Sequence, residues 1–134
     1  MFCLDASVIL SAARGSEINS GRSRAFLEFI RREEAKVFLP EIVIPEIASG
    51  LVRATKSGVF GDKFVTALRA IPNFSFVPVD SSISNLAVQV IQKTALRSAD
   101  AIYVALALDY GLTLVTLDKE QLNKGKKLIA VREP

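Results

Sequence analysis

The sequence predicts an α/β fold, a three-layer sandwich in which a central parallel, twisted sheet of about five strands is flanked by helices. Three observations predict it. Short apolar runs alternate with stretches of helical apolar spacing along the chain. Cap and turn residues punctuate them, and two aspartates, Asp5 and Asp118, directly follow apolar runs, where the strands of such a sheet end. Half of the 134 residues are hydrophobic, enough to give one domain spanning 1–134 a core.

The first strand is Met1–Leu4, and Asp5 sits at its junction with a helical stretch beginning Ala6-Ser7-Val8-Ile9-Leu10. Phe26, Leu27, Phe29 and Ile30 give Ser23–Glu34 helical spacing, and Val37–Leu39 is again strand-like. A helix is expected from Pro40 to Lys56, with Pro40 in its first turn and a kink or break at Pro45. Asp62–Ala70 is a short helix between Gly61 and Pro72. Phe74–Val79 is extended, and Pro78 favours an edge position. Asp80, Ser81 and Ser82 supply caps for a helix whose apolar stripe is Ile83, Leu86, Ala87, Val90 and Ile91. Ser98 is placed to cap Ala99–Tyr110, which is apolar on nearly every side and closed by Gly111. Leu112–Leu117 and Leu128–Val131 complete the strands.

Composition narrows the chemistry. The chain has no histidine and one cysteine, which removes the commonest general base, the usual zinc ligands and any Cys/His couple. Cys3, inside an apolar run, reads as a small buried residue in a reducing compartment, and no run approaches the roughly 18 apolar residues of a membrane span. The cytoplasm is the expected location, with no membrane partner. What remains for catalysis is a set of carboxylates holding a hard divalent cation. Net charge is only +3, but if Asp5, Glu46, Asp100 and Asp118 share a pocket, the rest of the surface carries 17 basic against 10 acidic side chains. An acidic hole with a basic rim suits a metal-dependent enzyme acting on a polyanion, whereas the counts alone also fit an ordinary mixed surface.

Each acid has a structural alternative. Asp5 and Asp118 could each cap a following helix as readily as bind a metal. An early-turn Asp100 is favoured by its helix dipole by about 0.3–1 kcal/mol. Enclosing an unpaired carboxylate costs several kcal/mol, however, which a bound cation would offset. Glu46 competes with Glu41, and position alone does not separate them, but Glu46 leads into Ile47 and Leu51 on the apolar face of the following turns and so lies near the core side. Asp80 reads as a cap and not as part of the site, and Asp62 and Asp109 read the same way.

Leu4-Asp5-Ala6-Ser7, Pro45-Glu46-Ile47, Leu96-Arg97-Ser98-Ala99-Asp100-Ala101 and Thr116-Leu117-Asp118 together resemble the PIN-domain ribonucleases of the VapC toxin type, over nearly the whole chain. The resemblance implies a PIN-like sheet and an acidic site binding Mg2+ or Mn2+. It also implies hydrolysis of single-stranded or looped RNA, a small cognate antitoxin as partner, and a homodimer. It makes Asp5 and Asp100 the main metal ligands, completed by Glu46 and Asp118, with Ser7 and Thr116 as outer hydroxyls that orient them. Pro45 departs from the family pattern. A mean hydropathy of +0.34 independently favours a partner that covers apolar surface.

Arg14, Arg22, Arg24 and Arg97 are candidates for holding RNA phosphates, and Arg97 could instead pair with an acid. Three rival readings remain: an RNA-processing nuclease without a toxin role, a non-catalytic RNA- or protein-binding domain, and a phosphate-accepting signalling domain. The last needs an acidic pair at the first strand end, where this chain has Asp5 alone.

Overall fold

The computed structural model describes residues 1–15 and 18–134. In chain order the elements are β1 (Phe2–Leu4), α1 (Ala6–Arg14), α2 (Ser20–Arg32), β2 (Val37–Pro40), α3 (Val43–Thr55), α4 (Gly58–Arg69) and β3 (Phe74–Val77). They continue with α5 (Ser81–Thr94), α6 (Ser98–Tyr110), β4 (Thr113–Val115), a π turn (Gln121–Gly125) and β5 (Val131–Arg132).

The five strands form one parallel sheet in the order β3-β2-β1-β4-β5. Crossovers between parallel strands are right-handed, so α1–α4, which carry the chain from β1 toward β3, cover one face. The return crossover through α5 and α6 covers the other, and α6 packs on β1, β2 and β4. The winding reverses between β1 and β4, which leaves a crevice at their carboxyl ends. Asp5 follows β1 there, and its amide donates to the Val115 carbonyl at the end of β4 at 3.0 Å.

The burial pattern explains why these segments take these forms. β1, β2 and β4 contribute Cys3, Leu4, Val37, Leu39, Leu114 and Val115 to the core, all 0% exposed, which a strand covered on both faces requires. The near-uniform apolarity of α6 has the same cause: Ala101, Val104, Ala105, Leu106 and Ala107 are all buried. Where α1 crosses α3, a Cβ on Gly50 would lie 2.7 Å from Leu10, so glycine lets the two helices close together. That approach sets one wall of the crevice.

Several boundaries differ from the expectations. Pro40 ends β2 instead of opening a helix, and pairs with Val77 at the sheet's edge. The helix begins at Val43, so Pro45 falls in its first turn, where a missing amide costs no internal hydrogen bond and no break is needed. Ser98 is already inside α6; the cap position is Arg97, which makes no side-chain cap bond. α2 starts at Ser20, and α4 starts at Gly58 behind a Ser57 side chain that caps the Phe60 amide at 3.2 Å. β4 stops at Val115 and β5 occupies only Val131–Arg132. The edge placement of β3, the Asp80 cap of α5 and the left-handed Gly111 closing α6 at φ 63° agree with the sequence.

Candidate active site

Asp5 is the hub of the crevice. Only 6% exposed, it caps α1 by accepting from the Ser7 amide at 3.2 Å, and the same Oδ2 accepts short from the Ser7 hydroxyl and at 3.0 Å from the Thr116 hydroxyl. Both hydroxyls are themselves held. Ser7 Oγ accepts from the Leu117 amide at 3.1 Å and Thr116 Oγ1 from the Asp118 amide at 2.9 Å. The β4 exit and the start of α1 are thus tied together through one carboxylate.

Asp100, 9% exposed near the start of α6, is joined to Asp5 by a single side chain. The Gln121 amide nitrogen donates to Asp100 Oδ1 at 3.0 Å and to Asp5 Oδ1 at 3.3 Å. The other oxygen of Asp100 takes Arg97 Nε at 3.1 Å, and the same guanidinium stands 3.7 Å from Asp118 Oδ2. Asp118 Oδ1 accepts from the Gln121 amide at 2.9 Å, capping the short helical stretch that leads into the π turn. Its capping and its place at the crevice are therefore compatible, as they are for Asp5.

Glu46, half-buried in the first turn of α3, accepts from the Tyr103 hydroxyl at 2.5 Å. Glu41, its competitor in the sequence, lies outside the crevice in an exposed pair with Arg69 at 2.7 Å. A groove runs from Asp5 and Ser7 past Pro45 and Glu46 to Ser49 and Arg53. Among the described residues no three acidic or cysteine side chains crowd one point; Asp5 and Asp100 meet through Gln121, and Glu46 and Asp118 stand to either side.

The electrostatics follow from burial. Loss of water raises the Asp5 carboxyl above the usual aspartate value, against the lowering effect of its hydroxyl and amide donors. Glu46 is also raised, mainly by burial, then by the like charges of Asp5 and Asp100, while its bond from Tyr103 opposes the shift. Burial pushes the Tyr103 phenol far up, so it remains a donor at any physiological pH. Protein stripped by chelator should therefore lose stability as pH rises. With folded pKa values above unfolded ones, the favourable protonation of Asp5 and Glu46 is complete below the unfolded carboxylate range and lost through the raised folded values. The pairs Glu28–Arg31 and Glu41–Arg69 act in the opposite sense but are exposed and screened by solvent. The urea midpoint is expected to fall as pH rises from the ordinary carboxylate range toward neutrality, and a midpoint that climbs over that interval contradicts this electrostatic picture.

Of the four arginine candidates, the structure places Arg97 against the acids. Arg14 donates to the Gly50 carbonyl at 3.2 Å, Arg22 pairs with Glu133 at 2.8 Å, and Arg24 lines a separate apolar groove. Sequence reasoning missed Arg53, Tyr103 and Gln121. Tyr103 had a signal, because it stands three residues after Asp100 and so on the same face of α6. Gln121 had little beyond its place three residues after Asp118.

A family model described as the PIN domain matches residues 2–127. The chain belongs to the PIN-domain family. None of the curated proteins matches it in sequence. Among solved structures, this PIN domain is similar to FitAcB from Neisseria gonorrhoeae, with 24% identity, TM-score 0.76, and coverage of 100% of this chain and 98% of that one. It is also similar to VapC20 of Mycobacterium tuberculosis, a sarcin-ricin loop cleaving toxin, with 14% identity, TM-score 0.78, and coverage of 98% and 99%. VapBC2 from Rickettsia felis, bound to a DNA fragment from its promoter, gives 12% identity, TM-score 0.73, and coverage of 99% and 98%. At these identities the shared property is the fold. The PIN domain thus has the five-stranded parallel sheet flanked by helices that the sequence implied.

Proposed function

We propose that this PIN domain is a Mg2+- or Mn2+-dependent endoribonuclease and the toxin of a toxin–antitoxin pair, working in the cytoplasm as a homodimer. The observation that carries the reading is the Asp5–Asp100 pair at the β1/β4 switch point, two nearly buried carboxylates in a chain without histidine. Among the described residues Asp5 meets only neutral donors and Asp100 only the exposed Arg97 as a cation, so holding the two acids out of water is costly, and hard oxygen donors suit a small divalent cation. Asp5 and Asp100 would hold it, with Asp118 and Glu46 completing the site. Such an ion supplies an activated water and charge stabilisation for phosphodiester hydrolysis.

The chain's own residues do the positioning. Ser7 and Thr116 fix Asp5 in one rotamer and leave its Oδ1 facing Asp100 through Gln121. Tyr103 does the same for Glu46. Arg97, on the exposed rim, and Arg53, in the groove, are placed to hold RNA phosphates. A groove of about 1330 Å³ lined by Leu27, Ile30, Phe38, Phe64, Leu68 and Phe74 supports an apolar antitoxin segment as partner. Exposed Val52, Val59 and Phe60 on α3 and α4 support a second copy of the chain. The structural similarity to VapC20 and VapBC2 supports the toxin role.

The test is incubation of the purified protein with single-stranded RNA and Mg2+ or Mn2+, with and without chelator. Cleavage that appears with metal and stops with chelator is expected, and cleavage indifferent to chelator overturns the metal mechanism.

A further inference from the structure

Gln121 is 0% exposed, and it uses its side chain one-sidedly. Its Nε2 serves two acceptors, Asp5 Oδ1 and Asp100 Oδ1, while its Oε1 is buried without a hydrogen-bond partner among the described residues. The orientation is fixed by chemistry, because only a donor can face two carboxylate oxygens at 3.0 and 3.3 Å. The side chain is also rigidly delivered: the Gln121 backbone amide is anchored on Asp118, and the residue opens a π turn, a form of helix that recurs at functional sites. A buried amide oxygen left idle is a cost the fold bears. What it gains is one neutral N–H2 group between two carboxylates.

On the metal-binding reading above, we infer that Gln121 is a placeholder for the cation, a positioning residue whose amide holds Asp5 and Asp100 together in the metal-free protein and gives way when the ion binds. An amide nitrogen within hydrogen-bond distance of both oxygens stands in the path of any ion they would share. Each of its N–H groups satisfies one carboxylate, so the pair stays in place without repelling apart. A lysine there would neutralise the acids better, but a tethered ammonium could not be displaced. Neutral glutamine is strong enough to hold the pair and weak enough to release it.

The placeholder makes two variants move in opposite directions. Gln121→Met keeps length and removes both donors, so the metal-free state alone loses its bridge. Its metal-free melting temperature should fall, and its Mn2+ dissociation constant should tighten by roughly tenfold, since one such bridge is worth about a factor of ten in an equilibrium. Gln121→Lys carries its own positive charge into the same place. It should melt higher than the native protein without metal and bind no Mn2+.

The experiment is a Mn2+ titration by calorimetry, with melting curves in chelator, on the full chain in native, Gln121→Met and Gln121→Lys forms. A Gln121→Met protein that melts lower but binds Mn2+ equally or more weakly overturns the placeholder, because a purely structural bridge or a direct metal ligand gives that result. Gln121→Lys binding Mn2+ like the native chain overturns it as well, and decides the matter alone if Gln121→Met does not fold. Native protein that binds no Mn2+ removes the metal reading and the placeholder with it; native binding with an unshifted Gln121→Met constant removes the placeholder only.

Discussion

Replacing Asp5 by asparagine is expected to reduce RNA cleavage by at least about 100-fold, the scale on which losing one preorganised charge-stabilising group costs catalysis. The metal-free fold should be as stable as the native one or more so. The two halves follow from one fact, that among the described residues Asp5 is a buried carboxylate held by four donor groups but by no cationic side chain. Asparagine caps a helix about as well as aspartate, and its oxygen can take the place of Oδ2 beneath Ser7 and Thr116. Its new amide nitrogen would face the Gln121 side chain, which keeps its bond to Asp100. The desolvation that raises the Asp5 carboxyl disappears with the charge. Chelator-treated Asp5→Asn should therefore unfold at the same or higher urea concentration. A variant that unfolds early yet still cleaves RNA would make Asp5 a structural cap and nothing more.

Thr116→Val should do the reverse and destabilise the protein by about 3 kcal/mol. Thr116 is 0% exposed, and its hydroxyl both donates to Asp5 Oδ2 at 3.0 Å and accepts from the Asp118 amide at 2.9 Å. Valine has nearly the same shape but leaves a buried carboxylate short of one donor and a backbone amide short of its acceptor. A hydrogen bond to a charged group is worth about 1.5–3 kcal/mol, and an amide left unsatisfied adds about 1–3 kcal/mol. Cleavage should fall too, since Asp5 loses the contact that fixes its orientation. Urea unfolding checks the first effect, and a change below about 1 kcal/mol would show that Thr116 does not support the crevice in this way.

The sequence made the sheet legible because a strand buried on both faces has to be mostly apolar along its length; Met1–Leu4 and Val37–Leu39 are wholly so, and Leu112–Leu117 is apart from its two threonines. β5 was misplaced for the same reason turned around. Leu128 and Ile129 are apolar because they pack against the core, while pairing with β4 falls on Val131 and Arg132. Pro45 misled because a proline reads as a break only if the helix start is known, and the three-residue difference between Pro40 and Val43 decides that.

In the site, Asp5 and Asp118 were legible from their places after strands, and Asp100 from standing in an otherwise apolar helix. The preference for Glu46 over Glu41 rested on Ile47 and Leu51, which put Glu46 near the core side; that it reaches Tyr103 while Glu41 meets Arg69 needed three dimensions. Gln121 was illegible because its importance comes from touching two residues 116 and 21 positions away. The same holds for the arginines, which differ in what they meet across the fold and not in their sequence neighbours.

The measurement that bears most directly on the account is the melting temperature with and without Mn2+ for the native chain, Asp5→Asn, Asp100→Asn and the control Asp80→Asn, whose aspartate caps α5 through the Ile83 amide at 3.0 Å, outside the crevice. A ligand that binds only the folded state raises stability in proportion to its occupancy. Mn2+ should raise the melting temperature of the native and Asp80→Asn proteins and leave Asp5→Asn and Asp100→Asn unmoved. An equal rise in all four proteins would contradict it, placing the cation somewhere other than the crevice between β1 and β4.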